Sequence, residues 1–167
     1  MNIELRKWNE ADFPAISEIF TRCDRSYLSD ALPMPYTETH AQGWYENTVL
    51  PRDGKDGLYR VIFADGKPVG VITLACGGDI YAHDGDMGYL LLKEYGGKGI
   101  MSAAVRLFCA EAFEALDILR ITGRVFSPNA ASRRVLEKNG FELEGTLRRA
   151  VCKGENIYDM CVYGKLK

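Results

Sequence analysis

The stretch KEYGGKGIMSAAVRLFCAEAF, residues 93–113, changes character at Gly99. Glycines occupy positions 96, 97 and 99, and the residues after them have the apolar spacing of an amphipathic helix. The first N–H groups of a helix lack acceptors within the helix and lie at the positive end of its dipole. Because glycines remove the Cβ atoms that would keep a ligand from those N–H groups, the stretch predicts a cradle for a phosphate group. The alternative is a tight strand-to-helix turn with no ligand.

Two nucleotide-binding motifs share the glycine content of this loop but do not fit it. A P-loop requires GxxxxGK[ST], whereas Lys98 is followed by Gly99 and by no hydroxyl residue that could hold magnesium. Residues 97–102 resemble a dinucleotide-binding GxGxxG that lacks its third glycine. That motif belongs in a βαβ unit of parallel strands. Since this loop follows a run of predicted hairpins, we disfavour a dinucleotide site.

The whole chain, residues 1–167, predicts a single α+β domain with a largely antiparallel sheet. Predicted strands cover residues 2–6, 58–64, 69–76, 87–92 and 118–126, and a final hairpin joins FELEGTLRRAVCK to IYDMCVYGKLK. The run MGYLLL (87–92) is apolar throughout, as in a central strand that is buried on both faces. About four helices are expected: two before residue 51, one from the glycine loop to about residue 116, and one that Asn129 caps and Gly140 ends.

The charge, the cysteine content and the apolar runs of the chain argue against several kinds of partner and cellular compartment. The net charge is −2, which argues against nucleic acid as the main partner, because that binding depends on clustered positive charge. Five cysteines without a CxxC pair argue against a disulfide framework or a cysteine-rich zinc site, so we expect no metal, and free thiols in a reducing, cytoplasmic compartment. The N-terminus lacks the apolar core of a signal peptide and no run of about 18 apolar residues occurs, so no membrane association is expected.

The order of predicted elements and two motifs resemble the GNAT superfamily of acyl-CoA-dependent N-acetyltransferases. The family's loop pattern Q/R-x-x-G-x-G/A maps onto residues 96–101, with Gly96 in place of Gln or Arg and Met101 in place of Gly or Ala. The form GKGIM is similar to the Rim-type branch, the ribosomal-protein N-terminal acetyltransferases. The segment SPNAASRRVLEKNGF (127–141) resembles the family's N-x-x-S…L-E-K-x-G-F pattern.

The resemblance implies a mostly antiparallel, twisted sheet of six to seven strands, splayed in the middle and flanked by about four helices. It also implies that acetyl-CoA binds as a cosubstrate where the fourth strand diverges from the fifth. The pyrophosphate would rest on the glycine loop, and the pantetheine arm would pair with the open strand and with Asn129. The cofactor-binding residues implied are Tyr89, Leu90, Leu91, Gly96, Gly97, Lys98, Gly99, Ile100, Met101, Asn129 and Ser132.

Acyl transfer from a thioester needs a group to deprotonate the amine, a donor for the oxyanion and a donor for the leaving thiolate. In many family members the donor for the leaving thiolate is a Tyr seven residues after the motif Asn, but that position is Leu136 here. By the Rim-type resemblance we expect Ser132 to face the sulfur; the alternative is a helix-face serine that is satisfied locally. Asp86 is the expected base, or a turn residue held by local amides.

The function that the resemblance implies is acetyl-CoA-dependent N-acetylation of a primary amine, by direct attack in a ternary complex. The acceptor is either the N-terminus of a protein or peptide, or a small amine, and the loop at 24–36, together with the second helix, is expected to line its site. The alternative is a non-catalytic acyl-CoA-binding sensor or interaction domain on the same fold. A homodimer is a further expectation. Weaker catalytic candidates are Glu38, His40, Tyr158, Asp159 and Tyr163.

Overall fold

The computed structural model describes residues 1–167, and a seven-stranded sheet runs through the molecule. Its strands are β1 (Ile3–Lys7), β2 (Gly57–Ala64), β3 (Lys67–Cys76), β4 (Asp84–Leu91), β5 (Arg120–Phe126), β6 (Glu142–Lys153) and β7 (Asn156–Leu166). The helices are α1 (Phe13–Arg22), α2 (Glu38–Trp44), α3 (Leu50–Arg52), α4 (Ile100–Ala115) and α5 (Ala130–Lys138). A π-helical turn, Tyr45–Val49, joins α2 to α3, so these three form one continuous helical segment and four such segments flank the sheet, as expected.

The strand order is β1-β2-β3-β4-β5-β7-β6, and every neighbouring pair is antiparallel except β4 and β5. A parallel pair needs a crossover connection, which α4 provides. The β4–β5 ladder covers only Asp84–Met87 against Arg120–Gly123. Beyond it the two strands diverge while β4 stays paired with β3. The predicted α+β sheet, splayed in its middle, is confirmed.

The two faces of the sheet bury separate apolar clusters because strand residues alternate between them. On β2, Leu58 and Ile62 pack with the α4 residues, including Phe108, while Tyr59 and Val61 pack with α1 and α2. The four strand residues are at most 2% exposed. The sheet is therefore covered by α4 on one face and by α1 and α2 on the other. No helix of the structure is both long enough and apolar enough to cross a bilayer.

One strand prediction is wrong in both its start and its burial. The strand β4 begins at Asp84 rather than 87, after a single 3₁₀ turn at Asp79–Tyr81. Residues 89–91 are only half-buried and Gly88 is exposed. The apolar run is typical of a strand with neighbours on both sides, but the divergence of β5 removes one neighbour. The second half of β4 is consequently the wall of a cleft.

The strand β6 forms the outer edge of the sheet and pairs only with β7. Its pairing is interrupted twice, between Leu143 and Gly145 and between Leu147 and Val151. Within the second interruption Arg149 has a left-handed backbone, with φ of 52°. The final hairpin is therefore long but irregular.

Helix α5 sits close to β5 because Gly123 has no side chain. A Cβ at Gly123 would lie 2.8 Å from Cδ1 of Leu136, which is 1% exposed and fills the space above the glycine. At the start of the helix, Oδ1 of Asn129 accepts a hydrogen bond from the backbone N–H of Ser132 at 3.1 Å, which confirms the predicted cap. Close contact at one end and capping at the other fix the helix that carries Ser132.

We expect Gly123→Ala to lower the free energy of unfolding by about 1–3 kcal/mol, because an added methyl overpacks the contact with Leu136. Chemical denaturation measures the change. The matched control is Gly145→Ala, where a Cβ meets nothing within 4 Å. Equal stability losses in the two variants would show that α5 does not depend on the glycine.

Candidate active site

A cleft of about 910 Å³ opens where β4 and β5 diverge. Four parts of the chain meet around it: the second half of β4, the glycine loop with the start of α4, the end of β5 with the start of α5, and the first half of the loop at 24–36. Its lining residues include Tyr27, Tyr89, Leu90, Leu91, Gly96, Gly97, Gly99, Ile100, Met101, Arg124, Asn129 and Ser132. The structure thus brings together all but two of the predicted site residues, Lys98 and Asp86.

The glycine loop is held in a shape that other residues adopt with difficulty. Gly97 has φ of 72° and Gly99, which caps α4, has φ of 78°. This left-handed region favours glycine, and a Cβ at either position would meet nothing within 4 Å. The missing side chains leave open space beside the first N–H groups of α4, as a phosphate cradle requires. The Lys98 ammonium lies 5.4 Å from the ring centroid of Tyr95 rather than in the cleft.

The open edge of β4 presents backbone groups of alternate residues. The N–H of Leu92 donates to the carbonyl oxygen of Val69 on β3. Since N–H groups alternate in direction along an antiparallel strand, Leu90 also faces β3, whereas Tyr89 and Leu91 direct their N–H and C=O groups into the cleft. Of the three predicted pantetheine-binding backbones, those of Tyr89 and Leu91 are free to pair with a ligand. The backbone of Leu90 pairs with β3, and its side chain packs against the apolar cluster on the α1 and α2 side of the sheet.

A hydroxyl pair joins β4 to α5 inside the cleft. The Tyr89 Oη atom lies 2.8 Å from Oγ of Ser132 and 3.3 Å from the Ser132 carbonyl oxygen. Burial raises the pKa of Tyr89 to about 12, and the hydrogen bond between Tyr89 and Ser132 opposes this rise. The sequence motifs imply a role for the backbone of Tyr89 but none for its side chain. The signal that could have found the side chain is the alternation along β4, which places residue 89 on the same face as the buried Met87.

Asp86 lies on the other face of β4, one residue before the strands diverge. It is opposite Thr122 in the β4–β5 ladder, and its Oδ2 atom lies 3.5 Å from Nε of Arg124. The Asp86 side chain is 55% exposed. Partial desolvation by the surrounding chain raises its pKa, while the Arg124 guanidinium acts to lower it. Asp86 is therefore a strand residue rather than a turn residue. It does not line the cleft itself, although its partner Arg124 does.

The weaker base candidates serve local structure. The Nδ1 atom of His40 lies 3.0 Å from the Thr37 backbone N–H and completes the cap of α2, and Glu38 is exposed in its first turn. Asp159 accepts a hydrogen bond at 2.7 Å from the backbone N–H of Arg149. None of these groups lines the cleft.

Tyr163 contacts α5 on its far side from the cleft. Its hydroxyl accepts a hydrogen bond from Nε of Arg133 at 3.1 Å and donates to Oε1 of Glu137 at 2.8 Å. The residue is fully buried and does not line the cleft. Tyr163 therefore anchors the helix through its hydroxyl and does not itself line the cleft.

The first half of the loop at 24–36, which was expected to line the acceptor site, forms one wall of the cleft. The Tyr27 ring packs against Phe126 and Tyr158, with centroids 5.7 and 6.5 Å away. The Lys153 ammonium on the final hairpin donates to the Leu28 carbonyl oxygen at 2.7 Å. These contacts tie the loop to the hairpin. The second half of the loop and α2 contribute no lining residues.

Comparison with known proteins identifies the family. A family model described as the acetyltransferase (GNAT) domain matches residues 2–142 of the chain. The chain belongs to the GNAT family. The resemblance drawn from the glycine loop and from the segment at 127–141 is thereby confirmed, and the cleft lies where GNAT proteins were expected to bind acetyl-CoA.

Two GNAT relatives from Bacillus subtilis align with different shares of the chain. YjcK, named provisionally as an N-acetyltransferase, is 49% identical over 65 residues, which cover 39% of this chain and 36% of YjcK. YdaF, named provisionally as a ribosomal N-acetyltransferase, is 33% identical over 128 residues, which cover 74% of this chain and 69% of YdaF. The aligned region therefore spans about a third of one relative and about two thirds of the other.

A solved GNAT structure shares the whole fold. RimL, a ribosomal L7/L12 alpha-N-protein acetyltransferase in complex with coenzyme A, superimposes with a TM-score of 0.81 at 25% sequence identity. The match covers 99% of this chain and 94% of RimL. A protein of the same fold and of nearly the same extent thus binds coenzyme A.

We expect Asp86→Asn to raise the free energy of unfolding at neutral pH. Because the pKa of the folded-state carboxyl is raised above its ordinary value of 3.8, its ionisation costs stability as the pH rises through that pKa. Below about pH 3 the carboxyl is protonated in both states, so the two proteins should be equally stable. Urea denaturation at about pH 3 and about pH 7 measures both values.

Asp24→Asn is the matched control, and we expect it to lower the free energy of unfolding at neutral pH instead of raising it. Hydrogen bonds from the Ser26 hydroxyl and backbone N–H hold the pKa of Asp24 below its ordinary value. Its carboxylate contributes stability that is present at neutral pH and is lost as the pH falls through the lowered pKa, so this substitution should destabilise. A loss of stability at pH 7 in Asp86→Asn as well would mean that the ion pair with Arg124 outweighs burial.

Proposed function

We propose that the protein is an acetyl-CoA-dependent N-acetyltransferase that acts on a primary amine by direct attack in a ternary complex. The observation that carries this proposal is that the left-handed glycine loop and the unpaired edge of β4 open into one cleft. The phosphate cradle would bind phosphates at one end of a ligand, and the open strand edge in the same cleft would pair with amides along the ligand's arm. The coenzyme A complex of RimL supports the same ligand.

The residues around the cleft fit acetyl-CoA. The N–H groups at residues 97–101 would hold the pyrophosphate, and the backbones of Tyr89 and Leu91 would pair with the pantetheine amides. The amide nitrogen of Asn129 has no partner within the protein, because only Oδ1 caps α5, so it is available to the same arm. When bound, acetyl-CoA supplies the acetyl group as a thioester.

Three groups of this chain would share the chemical work. Leu91 directs its N–H into the cleft and would donate to the oxygen that becomes negative during acyl transfer. Ser132 would donate its hydroxyl hydrogen bond to the leaving sulfur. Asp86 would accept a proton from the ammonium form of the acceptor, and its raised pKa makes it a better base than an ordinary carboxylate. Ser132 lines the cleft on one face of the sheet, whereas Asp86 lies on the other face, within the β4–β5 ladder just before the strands diverge.

The acceptor that we propose to test first is the N-terminal amine of a protein or peptide. The names of YdaF and RimL, which refer to ribosomal substrates, support this choice of first test. The loop at 24–36, tied to the final hairpin through Lys153, would form the wall on the acceptor side. A homodimer, a cytoplasmic location, the single domain over 1–167 and the absence of a metal stay predictions from the sequence.

Calorimetry with acetyl-CoA tests the cradle. We expect micromolar binding by the wild type and at least about a hundredfold loss in a Gly97→Asp, Gly99→Asp variant, because two carboxylates would crowd and repel the pyrophosphate. The matched control is Gly54→Asp, Gly66→Asp, which places the same residues at φ of 77° in open space away from the cleft. Equal losses in both variants would attribute the effect to backbone strain rather than to the site.

Turnover decides between enzyme and sensor. A screen of peptides with free N-termini and of small amines, with release of coenzyme A as the readout, should give acetylation by the wild type. Exposed Cys152 should first be replaced by Ser, because it would react with the thiol reagents that detect coenzyme A. Binding of acetyl-CoA without acetylation of any amine would favour the non-catalytic alternative.

A further inference from the structure

The Tyr89 hydroxyl lies next to the Ser132 hydroxyl, which the proposed function uses as the donor to the leaving sulfur. Tyr89 reaches across the cleft from β4, and Ser132 stands in the first turn of α5. Their oxygens are 2.8 Å apart, a normal O–H···O hydrogen bond. The Tyr89 hydroxyl contacts no other residue within hydrogen-bond distance. The phenol is therefore dedicated to Ser132.

The direction of this hydrogen bond determines what Ser132 offers to a ligand. The phenol proton has two acceptors on Ser132, Oγ at 2.8 Å and the carbonyl oxygen at 3.3 Å, and the shorter contact is the stronger. A serine hydroxyl has one proton and two lone pairs. When Oγ accepts from Tyr89, its own proton is free to point into the cleft. Without Tyr89, that proton has no such preference.

The family's usual tyrosine has no room on α5 in this chain. The corresponding position holds Leu136, which is 1% exposed and is packed against Gly123 of β5. A hydroxyl for the leaving group must therefore come from elsewhere in the cleft. Tyr89 brings a phenol to the same helix from the facing strand.

We propose that Tyr89 is a positioning residue for Ser132: it donates to Oγ of Ser132 and thereby commits the serine proton to the sulfur of the departing coenzyme A. The inference rests on the proposed function. As the C–S bond breaks, its electron pair stays on sulfur, and the acceptor amine loses its proton to the base or to water. The hydroxyl pair supplies hydrogen bonds only and keeps both of its protons.

Acidity supports hydrogen bonding rather than proton transfer. Burial holds the pKa of Tyr89 at about 12, so the phenol remains a donor throughout the physiological range. A thiol, with an ordinary pKa near 8.5, is a much stronger acid than this phenol. The thiolate therefore has no tendency to take a proton from the pair. It is stabilised by accepting a hydrogen bond that the second hydroxyl has polarised.

The kinetic test compares Tyr89→Phe, Ser132→Ala and the double variant. We expect kcat to fall about tenfold in Tyr89→Phe and about ten- to hundredfold in Ser132→Ala, with the KM for acetyl-CoA changed less than about threefold. The double variant should be no slower than Ser132→Ala, because Tyr89 acts only through the serine. Additive losses, or a change confined to KM, would overturn the inference.

The matched control is Tyr163→Phe. It also removes a phenol hydroxyl that hydrogen-bonds to α5, but through Arg133 and Glu137 on the far side of the helix. Its kcat should stay within about twofold of wild type. Thermal melting of both phenylalanine variants accounts for any loss of folded protein. A tenfold loss of kcat in the control as well would assign the effect of Tyr89 to helix anchoring.

A second readout does not depend on turnover. The thiol pKa of bound coenzyme A, followed by the ultraviolet absorbance of its thiolate, should be raised by Ser132→Ala and, less strongly, by Tyr89→Phe, and should be unmoved by Tyr163→Phe. An unchanged thiol pKa in Tyr89→Phe with coenzyme A bound would overturn the inference and leave the proposed function standing. Failure of the wild type to bind coenzyme A would overturn the proposed function, and this inference with it.

Discussion

The four-residue parallel ladder between β4 and β5 is the constraint on which the rest of the site depends. It holds the strands together over Asp84–Met87 and then ends, so that the sheet keeps its continuity while β4 gains a free edge. An unpaired edge inside a protein costs free energy unless something satisfies its N–H and C=O groups. A ligand with amides along its length would satisfy them, which is how the proposed function uses the interruption of the sheet.

The alternation of β4 separates the chemistry of the cleft between two faces of the sheet. Asp86 and Arg124 lie on one face, and Tyr89 with Ser132 lies on the other. The backbone between them directs Leu91 N–H into the gap. In the proposed function, proton acceptance by Asp86 and hydrogen bonding of Ser132 to the leaving sulfur would therefore take place on opposite faces of the sheet.

Sequence analysis could predict the features that short motifs encode. The glycine loop and the cap at Asn129 follow from local backbone requirements, and both lie where expected. The proposed role of the Tyr89 side chain depends on the contact of β4 with Ser132 on α5. These residues lie 43 positions apart, so no local sequence pattern predicts their contact. The apolar run on β4 predicted burial on both faces because hydrophobicity alone does not register the loss of a neighbouring strand.

The irregular outer strand β6 has a consequence for aggregation. A straight edge of this length would be a template for the same strand of another molecule, and such pairing can continue without limit. Two interruptions and the left-handed Arg149 break the regular hydrogen-bonding register of β6, and Arg148 and Arg149 place positive charge at the second interruption. A second copy could match only a few residues on either side before the register was lost. The protein therefore extends a long hairpin beside its cleft and still resists edge-to-edge polymerisation.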